Sequence, residues 1–164
     1  MKRILILILL SLPLFVRAKS ASERFFDHYS KAEGFASVQL ERKMMRMMSR
    51  QAAEKGDEKL AELLDGIQYI RIVALDGGSD TEAARFVADA EALASTEDAG
   101  YQLVMATSDA GQTTRFYLRD AKFSFDSELL MLPYGEKETV VMNIHGMFDL
   151  KQVARLSTMR PRPV

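Results

Sequence analysis

The second half of the chain constrains the architecture more tightly than any other stretch. Tyr101 to Thr107, Thr113 to Arg119, Phe123 to Leu132 and Thr139 to Ile144 read as strands. The segments between them are short and carry turn chemistry, as in Ser108-Asp109-Ala110-Gly111 and Pro133-Tyr134-Gly135-Glu136. Connections of this length join only antiparallel neighbours, because a parallel return needs a crossover of a dozen or more residues. A C-terminal β-meander follows.

The first half alternates helix and strand. Phe25, Phe26 and Tyr29 mark one side of a helix over 22–33, ended by Gly34. Phe35 to Leu40 reads as a strand with Val38 and Leu40 on one face. Over 42–54, Met44, Met45, Met48 and Ala52 recur at helical spacing, while Arg42, Lys43, Arg46 and Arg50 fill the remaining arc. Gly56 breaks that helix and Asp57 can cap the next, whose stripe is Leu60, Leu63, Leu64 and Ile67. Gln68 to Leu75 is β-branched and aromatic, a central strand. Ser79 and Glu82 form a capping box for a helix carrying Phe86, Val87, Ala90 and Leu93. Asp149 caps a last helix with Leu150, Val153, Ala154 and Leu156. These elements predict one two-layer α+β domain over 19–157. Its mostly antiparallel sheet has about six strands, with helices packed on one face. Residues 158–164, rich in Arg and Pro, read as a flexible tail.

The N-terminus predicts export. Lys2 and Arg3 precede an apolar run from Ile4 to Val16, and Ala18 supplies the small residue before a cleavage site. This is a cleavable signal peptide over 1–18; the run is shorter than the roughly 20 apolar residues a membrane span needs. Cleavage removes Lys2, Arg3 and Arg17 from 22 basic residues and leaves 19 against 23 acidic ones, a net charge of −4. An acidic domain is not drawn to phosphate backbones, so nucleic acid is not expected as a partner. The chain has no cysteine. Disulfide staples are therefore excluded, and so is the lipidated cysteine of a lipoprotein. The expected location is the periplasm or the medium, with no transmembrane segment after cleavage.

Tyr101-Gln102-Leu103-Val104-Met105, Asp109-Ala110-Gly111, Glu128-Leu129-Leu130-Met131-Leu132, and Gly146 with Asp149-Leu150 together resemble domain-of-unknown-function family 4252. Ser37-Val38 to Met44-Met45 and Leu63 to Ile72 fit the same pattern, so the resemblance covers most of 22–157. It implies a small exported protein of a Gram-negative bacterium. The family has no established activity, so no catalytic residue carries over.

No constellation of residues commits the chain to a chemistry. Met44, Met45, Met47 and Met48 could offer thioethers to Cu(I), but Met44, Met45 and Met48 lie on the predicted apolar face, where methionine fills core space. His28 and His145 could meet Asp27 or Asp149, yet neither sits in a zinc-binding spacing. No serine lies in a nucleophile motif; Ser127-Glu128 falls inside a strand. Gly77-Gly78 ahead of a helix could cradle an anion, but Asp76 and Asp80 flank it. The acidic pairs Glu58/Glu62 and Asp89/Glu91 read as solvated faces. The residues thus yield no catalytic, cofactor-binding or metal site and no cofactor. The expectation is an exported non-enzymatic domain that binds an envelope protein or a small ligand. The alternatives are an enzyme whose site is assembled only in the fold, and a membrane-surface module using the basic Met-rich helix 42–54.

Overall fold

A computed structural model describes residues 19–96, 100–109, 112–119, 127–134 and 140–147. The signal segment 1–18, the last helix with Asp149, and the tail 158–164 lie outside them. The elements are α1 (Ala21–Tyr29), β1 (Phe35–Glu41), α2 (Arg42–Glu54), α3 (Glu58–Gly66), β2 (Ile67–Leu75), α4 (Asp80–Ser95), β3 (Gln102–Asp109), β4 (Gln112–Arg119), β5 (Ser127–Tyr134) and β6 (Val140–Gly146). No described helix is long and apolar enough to cross a membrane.

Local chemistry explains the helix ends. Ser20 and Glu23 form a capping box that starts α1, and Ser79 and Glu82 form the one expected for α4. Asp57 accepts from the Leu60 amide to start α3. The first helix stops at Tyr29, four residues before the expected end at Glu33. The chain then turns through Gly34, whose φ of +79° a side chain disfavours, into β1.

The six described strands lie in one antiparallel sheet, in the order β1-β2-β6-β5-β4-β3. The meander order β3 to β6 is as expected, but Ser108-Asp109 and Pro133-Tyr134, read as turn residues, instead extend β3 and β5 and pair with β4. The long-range step is β2 against β6, which pairs Arg71 with Asn143 and Val73 with Val141. It places the β1–β2 pair beside the last strand of the meander.

The class is α+β, but the helices divide between both faces of the sheet rather than covering one. One core cluster joins Phe25, Phe26 and Tyr29 of α1 and Phe86, Ala90 and Leu93 of α4 to Val73, Leu130, Leu132 and Val141. The second joins Met45 and Ala52 of α2 and Leu63 and Leu64 of α3 to Ile67, Phe116, Leu129 and Ile144. Leu129 and Leu130 are neighbours in one strand and so face opposite ways. Both are buried, which requires cover above and below. The unbroken run Leu129 to Leu132 is the sequence sign of such a strand.

The methionine stripe is also corrected. Met45 is fully buried, but Met44, Met47 and Met48 are 41%, 49% and 38% exposed. The helix packs through a narrower seam of Met45, Ser49 and Ala52, at i, i+4 and i+7. The Ser49 hydroxyl donates to the Ala61 carbonyl of α3 at 2.8 Å. Once α3 lies alongside, that seam satisfies the packing, and the flank carrying Met44 and Met48 turns to solvent. Met45→Ala should therefore cost about 2–5 kcal/mol, and Met48→Ala no more than about 0.5 kcal/mol. Thermal melts of the two variants check this; equal losses would contradict it.

Candidate functional site

The antiparallel register assembles a row of polar side chains that are far apart in sequence. Glu41 pairs with Tyr69, Tyr69 with His145, His145 with Glu128, and Glu128 with Arg119. Side chains at paired positions share a face, so these five form a line across β1, β2, β6, β5 and β4. It lies on the side covered by α1 and α4. Asn143 and Arg71 stand one row further along the same face.

Glu128 is the centre of this group. It is only 2% exposed. Arg119 Nη2 donates to its Oε1 at 2.5 Å, and His145 Nδ1 lies 3.7 Å from the same oxygen. The Tyr101 hydroxyl and Asn143 Nδ2 donate to Oε2, the latter at 3.4 Å. Burial pushes the Glu128 carboxyl up. The nearby His145 imidazole, the Tyr101 hydrogen bond and the Arg119 charge more than reverse that push and hold it at about 2. Tyr101 moves the other way: burial, the Glu128 charge and their shared hydrogen bond push its phenol well above the usual range. Tyr69 stacks flat on His145, with ring centroids 4.6 Å apart, and carries the Arg71 guanidinium over its ring at 4.7 Å. Burial raises Tyr69 to about 12.

A cavity of about 330 Å³ opens beside this centre, bounded by Ser20, Arg24, Thr96, Tyr101, Arg119 and Glu128. Of its two cations, Arg119 already pairs with Glu128, and Arg24 Nη1 donates to the Lys19 carbonyl at 2.6 Å. Neither Glu128 nor Tyr101 changes protonation near neutrality, so neither is suited to general acid–base work there.

The second feature is the outer face of α2. Met44, Met47 and Met48 are exposed on it beside Lys43, Arg46 and Arg50, which are exposed as well. An open hollow of about 1170 Å³ runs along this face, bordered by Glu41, Lys43, Met44, Met47, Arg50 and Gln51. Arg42 is not part of the free arc. Its guanidinium turns inward and donates to the carbonyls of Asp65 and Ile67, the latter at 2.9 Å.

The other residues singled out in the sequence stay dispersed. His28 is exposed on α1, edge-on to Tyr29. Asp27 pairs with Lys19 at 2.5 Å, not with His28. His145 sits in the interior strand β6 with its side chain 15% exposed. Among the described residues no three His, Asp or Glu converge as metal ligands. Behind Gly77-Gly78 the start of α4 already holds a carboxylate, because Glu82 accepts from the Ser79 amide at 2.8 Å. Glu58, Glu62 and Asp89 are exposed and Glu91 half-buried; Asp89 also accepts from the Tyr29 hydroxyl. Ser127 is buried in β5.

Sequence reading missed Glu128, Arg119, Tyr101 and Asn143. One sign was legible: a lone carboxylate heading an apolar strand, Glu128 before Leu129 to Leu132, must find partners if the strand is central. Which partners it finds depends on strand order.

No curated protein and no solved structure matches this chain. One family does: its model, described as Domain of unknown function (DUF4252), matches residues 29–156. The match spans most of the described strands and helices, and the chain belongs to that family.

Proposed function

We propose that the protein is an exported, non-enzymatic binding module of the cell envelope, and that it binds through the outer face of α2. The observation that carries this reading is the exposure of Met44, Met47 and Met48 together on one helix, flanked by cations. Methionine is flexible and polarisable, and clusters of it at a surface suit contact with an apolar partner. A reading as an enzyme would have to use the cavity beside Glu128. That carboxylate is held ionised and fully hydrogen-bonded, which argues against it.

The test compares wild type with a variant carrying Met44→Ser, Met47→Ser and Met48→Ser, both expressed from the full-length gene in a Gram-negative host. The wild type should be recovered with the envelope fraction, its N-terminus at Lys19 by mass spectrometry. The variant should be exported and cleaved equally but released in soluble form. Equal retention of both would overturn the binding face; an intact Met1 on the recovered protein would overturn export by cleavage.

A further inference from the structure

The geometry points to an anionic lipid surface as the occupant of the α2 face, an inference that rests on the binding reading above. Two stripes run side by side along this helix. Lys43, Arg46 and Arg50 follow i, i+3 and i+7 spacing and make a basic line. Met44, Met47 and Met48 make an apolar line next to it, all substantially exposed. A helix lying in a membrane interface uses this pairing: apolar side chains enter the headgroup–acyl boundary while the longer basic ones reach phosphates. The charge is local, since the helix carries four basic residues and one acid, Glu54, whereas the whole chain is net −1. Attraction to an anionic surface therefore orients the molecule, with α2 facing that surface.

The same features disfavour a protein partner. The α2 face carries no Trp, Tyr or Phe, the rings that dominate protein interfaces along with Arg. Unbranched thioethers adapt to a fluid surface without a fixed complementary shape.

The experiment is co-sedimentation of the purified protein with phosphatidylcholine vesicles, with and without phosphatidylglycerol, at low and high salt. Binding should require phosphatidylglycerol and weaken with salt. Arg46→Ala with Arg50→Ala should lower the partition coefficient about 30-fold, at about fivefold per cation removed. The triple Met→Ser variant should lose the binding that survives at high salt. Both sets of changes lie on exposed positions, so unchanged thermal melts confirm that the variants fold. Absence of wild-type binding to phosphatidylglycerol vesicles would overturn the lipid inference, as would a partition unaffected by the arginine changes. If envelope retention nevertheless depends on the methionines, the occupant is a protein and the binding module stands. If retention does not depend on them, both readings fall.

Discussion

Glu128→Ala should destabilise the protein by about 3–5 kcal/mol at pH 7, the range for removing one partner of a buried charge pair. The loss arises on both sides of the substitution. A cavity replaces the carboxylate, and Arg119, Tyr101, Asn143 and His145 lose their shared partner on the face covered by α1 and α4. Acid should act through the same residue. Its carboxyl sits at about 2 in the folded protein against 4.5 for the ordinary group. The stabilisation from that difference is fully present above pH 4.5 and is lost as pH falls through 2. It amounts to about 3 kcal/mol, of which about 2 kcal/mol is gone by pH 3. Glu128→Gln keeps the shape but cannot ionise, so its stability should fall less between pH 7 and pH 3 than that of wild type. Urea unfolding at the two pH values measures both effects. A Glu128→Ala protein within about 1 kcal/mol of wild type at pH 7 would show that the cluster is not holding the sheet.

Gly146→Ala should be comparably severe, for a steric reason. Gly146 ends β6 with φ +151°, and a Cβ there would lie 2.4 Å from the Gly66 carbonyl oxygen and 2.9 Å from both Ile67 Cα and the Gln68 nitrogen. All three are backbone atoms at the junction of α3 and β2, so no side chain can swing aside. Gly66 faces the reciprocal restriction, its own Cβ position being 2.0 Å from the Met147 carbonyl oxygen. The Met147 amide donates to the Gly66 carbonyl at 2.9 Å across this crossing. Forcing the strands apart would disturb the β2–β6 pairing that joins the two halves of the sheet. The expected loss is at least about 3 kcal/mol, or failure to fold. Gly77→Ala is the control: its φ is +74°, but a Cβ would meet nothing within 4 Å, so only the backbone penalty of about 1 kcal/mol remains. Equal, small losses for both variants in a chemical melt would refute the close-approach account.

The sequence by itself determined the local elements and the class. Capping residues, apolar periodicity and turn composition depend on neighbours a few positions away, so α2, α4, β2 and the antiparallel meander were legible from the residues alone. Membership of the family was legible for the same reason, because its motifs are strand residues and turn glycines at short range. What only the tertiary structure decided is everything that depends on strand order and on which element covers which face. Period-2 alternation says that Glu128 and Leu130 share a face, and the meander sets β4 and β6 beside them, but neither gives the register that brings Arg119 and His145 level with Glu128. Tyr69 joins His145, Glu128 and Arg119 in one row only because β2 pairs with β6, a step outside the meander. The helical period of α2 likewise defined an apolar arc broader than the seam α2 uses. Packing against α3 selected Met45 and Ala52 from that arc, added Ser49 to the seam, and left Met44 and Met48 facing outward with Met47 beside the cations.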